Sequence, residues 1–98
     1  MKVSEITVDD LVFYLRLNED DVGEKDRMLL SQILGSAKQF LVSYTGLNLS
    51  ECDKFEDFVS AVYILCEDMF DNRSFYVDKT YVNKVVQSIL DMHSVNYI

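Results

Sequence analysis

Residues Phe55 to Arg73 read FEDFVSAVYILCEDMFDNR, and the middle of this stretch decides the fold. Ala61, Val62, Tyr63, Ile64, Leu65 and Cys66 follow one another without a charge. A helix that is apolar on nearly every side needs neighbours on several faces. The stretch therefore predicts a central helix, and in so short a chain one explanation is that other helices pack on some of its faces and other subunits on the rest. It closes at Asp71-Asn72-Arg73, a polar cluster directly after Met69 and Phe70.

Outward from this helix, three more are predicted. Asp53 is expected to cap the central helix, with Glu56 three residues on completing an aspartate version of the capping box. Upstream, Leu30, Ile33, Ala37, Phe40, Leu41 and Tyr44 recur at three- and four-residue steps, the clearest amphipathic signal in the chain, and predict a long helix from about Lys25 to Thr45. Gly46 stands where a left-handed C-terminal cap belongs, and Gly35 and Ala37 are small enough for a neighbour to approach closely. The connector Leu47 to Cys52 is expected to tuck its leucines under the domain and to leave Cys52 in a polar loop.

A short first helix starts at Thr7, with Asp10 near its positive end. It carries Leu11 through Leu15, ends near Arg16 or Leu17, and gives way to the acidic loop Asn18 to Gly23. The last helix is expected to begin near Lys79 or Thr80, after the spacer Ser74 to Asp78. It aligns Val82, Val85, Val86, Ile89, Leu90 and His93 on one face. The chain has no proline and three glycines, which favours helices over hairpins. The expected fold is all-α: one domain over residues 1–98, a small bundle of about four helices with a long second helix and an apolar third.

With 98 residues the chain builds one modest core, and oligomerisation is a common remedy for marginal stability at this size. The net charge of −8 argues against a DNA-groove binder, whose phosphate contacts come from Lys and Arg. An acidic surface still lets DNA pass without sticking. Cys52 and Cys66 have no partners at metal-ligand spacing and are expected to be free thiols. The opening MKVSEITVDD has no apolar signal core, and no run approaches membrane-spanning length. Residence in the cytoplasm, away from membranes, is the expectation.

Sites for chemistry are sparse. Taking Asn18 as the first position of a calcium loop puts Gly23 correctly at the sixth, but Leu29 falls where the closing glutamate is required. The acids therefore read as solvated surface, and no metal is expected. His93, the only histidine, lies near Asp91 in sequence but on a different helix face, so it reads as a packed residue at a helix end. Phosphate-loop, dinucleotide and nucleophile-elbow patterns are missing, so neither catalysis nor a cofactor is expected. The planar fork of Arg73 suits a carboxylate, either within the chain or on a neighbouring subunit. Asn72 is placed to satisfy the last helix carbonyls. Phe75, Tyr76, Val77 and Tyr81 form an aromatic patch that either closes the core or meets a partner.

The whole chain resembles the small all-α head–tail connectors of tailed phages, also called head-completion or DNA-packaging adaptors. In that family the core helix ends in a Tyr/Phe-acidic-Asn-Arg motif, here Phe70-Asp71-Asn72-Arg73. The start ITVDDLVFYLRL is similar to the family's short first helix and acidic loop. ILGSAKQFLVSYTGL is similar to its long helix with an alanine, aromatic and Tyr-x-Gly pattern. The segment SFYVDKTYVNKVV departs from it. The resemblance implies a structural virion protein of the phage neck, present in the host cytoplasm during assembly. It implies rings of about a dozen subunits below the portal protein. Such a ring extends the DNA channel without sequence-specific binding and receives a downstream connector or tail protein. Asp71, Asn72, Arg73, Phe75 and Tyr76 are the expected subunit contacts. The rival readings are an acidic helical protein that inhibits a nucleic-acid enzyme and, behind it, a small regulatory enzyme subunit. Mimicry of DNA needs acids arrayed on one face, whereas in the sequence they are spread over helix ends and loops.

Overall fold

A computed structural model describes residues 1–72 and 83–93. A 3-10 turn at Val3–Glu5 leads into helix α1, Val8–Tyr14. A second 3-10 turn, Glu19–Asp21, precedes the long helix α2, Glu24–Thr45, and the one-turn helix α3, Leu49–Cys52, follows. Helix α4 spans Asp57–Asn72 and α5 spans Lys84–Asp91. No strand occurs among the described residues. The protein is thus an all-α bundle with a long second helix, as its periodicity predicts.

Local chemistry sets most of the boundaries. The Thr7 hydroxyl accepts from the Asp10 amide, while the Asp10 carboxylate accepts from the Thr7 amide at 2.8 Å, so α1 starts at Thr7 as expected, with a reciprocal capping box. Gly46 ends α2 in the left-handed conformation, φ 77°, with its amide donating to the Val42 carbonyl. Side chains rarely adopt that backbone conformation, so glycine suits the position. Asn83 caps α5 by accepting from the Val85 amide at 2.8 Å. With ψ 132° Asn83 is itself not helical, so α5 starts at Lys84 and not near Lys79 or Thr80.

Helix α4 is the axis of the bundle. Phe58, Ala61, Val62, Leu65, Cys66 and Met69 are buried, and Val59, Tyr63, Ile64 and Phe70 pack partly buried against the same core. Helices α2 and α5 make most of its contacts, and α1 and the Val3–Glu5 turn pack on it as well. The apolar middle of α4 therefore packs largely against the chain's own elements, among them the amino-terminal turn, while Tyr63 and Ile64 stay half-buried. On α2, Leu30, Ile33, Ala37, Phe40 and Leu41 are buried as predicted, while Tyr44 is half-buried and its hydroxyl donates to Asp91 at 2.8 Å.

Three further expectations change around α3. Asp53 does not cap α4, which begins only at Asp57; it is the C-cap of α3. The reciprocal cap belongs to Asn48 and Glu51: the Asn48 side chain accepts from the Glu51 amide at 2.8 Å, and Glu51 accepts from the Asn48 amide at 3.1 Å. The Asp53 carboxylate instead accepts from the Ser4 hydroxyl at 2.6 Å and the Ser4 amide at 2.9 Å. These two donors hold its carboxyl below the usual range and tie the amino-terminal turn to α3. Cys52 is fully buried in α3, and of the two leucines Leu47 is buried while Leu49 stays exposed. The α5 face is Val86 and Leu90, with Ile89 and His93 half-buried; Val85 points outward, and Val82 lies outside the described residues.

Candidate docking surface where the first helix meets the central one

Of the five residues predicted as subunit contacts, Asp71 and Asn72 are exposed in the last turn of α4. The Asn72 side-chain amide donates to the Asp68 carbonyl at 2.8 Å, which satisfies one of the orphan carbonyls of that helix end. This leaves the Asp71 carboxylate on the surface. Arg73, Phe75 and Tyr76 lie outside the described residues.

What stands beside Asp71 is the end of α1. Helix α1 stops in a Schellman arrangement: the Leu17 amide donates to Val12 at 3.0 Å and the Arg16 amide to Phe13 at 3.1 Å. Arg16 occupies the left-handed position with φ 58°, where glycine is the usual residue. A side chain there costs about 1 kcal/mol. Arg16→Gly is accordingly expected to raise stability by about 1 kcal/mol, read as a higher urea midpoint at unchanged slope.

The turn projects a set of aromatic and basic groups. Tyr14 stacks on Tyr63 of α4 with ring centroids 4.7 Å apart, and the Tyr63 hydroxyl lies 3.6 Å from the Met1 sulfur. Phe13 is 87% exposed, the largest exposure of any large apolar side chain described. A shallow open groove of about 850 Å³ runs between Phe13, Tyr14, Leu17, Tyr63 and Met1. Two smaller hollows continue it over Arg16 and Phe70, toward Glu67 and Asp71 on one side and Asp21 and Asp26 on the other. Burial, and then the nearby negative charge of Glu67, push the Tyr14 hydroxyl up. Burial, with Glu67 and Asp71 behind it, also raises the Asp68 carboxyl. The fold thus gathers acids that lie far apart in the chain. Asp21, Asp26 and Asp71 stand in a turn and at helix ends, as the sequence places them.

The sequence carries one signal for this face. Leu11 to Leu15 are five consecutive apolar residues, more than one face of a seven-residue helix can bury. Leu11 and Val12 take the core, so Phe13 turns outward. Nothing in the sequence places Tyr63 or Glu67 next to it.

A second cluster lies where α5 ends against the start of α4. The His93 Nε2 is 3.2 Å from the Asp57 carboxylate. Its ring stacks on Phe55 at a centroid distance of 4.0 Å and meets the edge of Phe58 at 5.4 Å. His93 is therefore a packed residue at a helix end, as predicted, and Asp91 is engaged by Tyr44 instead. Both cysteines are free and buried, and desolvation raises the Cys66 thiol to about 12. Among the described residues no group of three His, Cys, Asp or Glu side chains could hold a metal ion. No described helix is long and apolar enough to cross a membrane. Comparison of the chain with protein families, with curated proteins and with solved structures finds no match in any of the three.

Proposed function

We propose that this chain is a structural subunit of a phage neck, a head–tail connector that closes into a ring below the portal and extends the DNA channel. The observation that carries the reading is the ending Phe70-Asp71-Asn72-Arg73 at the close of the central helix, inside a matching order of elements. A short α1, an acidic turn, a long α2 with Tyr44-Thr45-Gly46 at its end and an apolar α4 occur in the order that the resemblance implies. Two further features support it. Asn72 closes its own helix, which frees Asp71 to meet a neighbouring subunit. The net charge of −8 per copy suits a channel lining that repels DNA and lets it slide.

Native mass spectrometry and negative-stain microscopy test the proposal. Closed rings, or monomers that join a purified portal, are expected. A chain that stays monomeric at high concentration and ignores portals overturns it. Arg73→Ala is expected to abolish or strongly impair assembly while the helical circular-dichroism spectrum is retained. Loss of the fold itself would assign Arg73 to a contact within its own chain.

A second reading is favoured by one observation: Glu67 and Asp71 line one hollow over Arg16 and Phe70, and Asp21 and Asp26 line the adjoining one. Acids on both sides of Arg16 and Phe70 suit an acidic protein that occupies the basic surface of a nucleic-acid enzyme. Inhibition of a nuclease by the monomer, with no response to portals, would select it.

A further inference from the structure

We infer that the groove between α1 and α4 is a docking site for a basic amphipathic helix of a partner protein. Its floor is apolar and aromatic, from Tyr14, Leu17 and Tyr63, and Phe13 stands beside it almost wholly in water. An exposed aromatic beside an apolar floor offers a partner an anchor that buries much area with few rotors. Its shallow, open form suits side chains presented by a helix, anchored at steps of three and four residues.

Charge selects the occupant. Among the described residues, the groove and its two extensions are lined by Asp10, Asp21, Asp26, Glu67 and Asp71 against one side-chain cation, Arg16. A partner helix with Lys or Arg flanking its apolar anchors would be drawn in and held in register, whereas an acidic one would be repelled. Nucleic acid is repelled for the same reason. A second copy of this chain is a poor occupant, because its described helices offer no basic face: α1, α3 and α4 contain no Lys or Arg, α5 contains only Lys84, and on α2 Arg27 is paired with Asp9 and Lys38 donates to the Ile6 carbonyl. The inference holds whether or not the chain closes into rings.

The test uses a fluorescent synthetic peptide of leucine and lysine at amphipathic helical spacing, about 14 residues or roughly 21 Å long as a helix. A scrambled peptide of the same composition and a glutamate-for-lysine version serve beside it. The full chain is expected to bind the first peptide in the micromolar range, more weakly as salt rises, and to bind the other two at least tenfold more weakly. Phe13→Ser, which leaves the charge unchanged, is expected to weaken binding at least tenfold. The double change Glu67→Gln and Asp71→Asn is expected to weaken it severalfold and flatten the salt dependence. Met28→Ser, at an exposed apolar residue of α2, should have no effect. Equal binding of the scrambled peptide, or indifference to Phe13→Ser, overturns the inference. So does a change of Phe13→Ser that dissociates an oligomer while peptide binding is untouched, because the occupant is then a second copy. A chain that stays monomeric and ignores portals but binds the helical peptide through Phe13 sustains this inference and removes the ring.

Discussion

Phe58→Ala is expected to destabilise the domain by about 3–5 kcal/mol, enough to lower its melting temperature on the order of 20 °C. Phe58 is fully buried in the first turn of α4. Its ring lies 5.1 Å from Phe55 and 5.4 Å from His93, so it joins the start of the central helix to the end of α5. Truncation leaves a cavity in a close-packed core beside the Phe55–His93 stack, and such cores relax only partly. A domain of this size has a total stability of about 5–10 kcal/mol, so one substitution removes a large share. His93→Ala in the Phe58→Ala background should add less than its effect alone, because both act on one junction. Urea unfolding of the four proteins in the cycle provides the check. A Phe58→Ala cost below about 1.5 kcal/mol would show that α5 does not close over this residue.

Cys66 is expected to be unreactive toward Ellman's reagent in the folded protein and to react fully once the chain is unfolded. The nucleophile is the thiolate, and burial raises the Cys66 thiol from 9.0 to about 12. Near neutral pH this lowers the thiolate fraction by roughly a thousandfold before any steric shielding is counted. Cys52 is raised too, again chiefly by burial, and is likewise inaccessible. The rate of modification therefore reports how often the bundle opens. The same shift sets an alkaline limit on stability. The group is neutral when protonated, and its folded value lies above its unfolded one. Its contribution is therefore fully present below pH 9 and is lost between about 9 and 12 as the unfolded chain releases its proton first. The slope reaches about 1.4 kcal/mol for each pH step in that window. Cys66→Ala should remove this part of the alkaline slope while the part due to raised Tyr14, Tyr44 and Tyr63 remains. Rapid labelling of Cys66 in the folded chain at pH 7 would contradict its burial.

Helices with strong local signals are legible in the order of residues. Thr7 and Asp10 cap α1 as their spacing predicts, and Gly46 ends α2 where the periodic run stops. Asp53 shows the limit of such reading. Its spacing to Glu56 makes a capping box plausible, but Asn48 and Glu51 make the box one short helix earlier, and Asp53 turns to Ser4. Two candidate caps in one connector cannot be ranked without knowing which amide each one faces.

The amino-acid order alone settles that the chain is helical, where α2 lies, and that Ala61 to Cys66 belong in a core, because caps and periodicity act within a few residues of chain. It took the packed bundle to settle that this core is filled by the chain's own helices and that Phe13, Tyr14, Tyr63 and Glu67 share one surface. An apolar run reports that it will be buried, but not which neighbour will cover it. Only the packing of α1, α2 and α5 around α4 brings distant acids and an outward phenylalanine to the same surface.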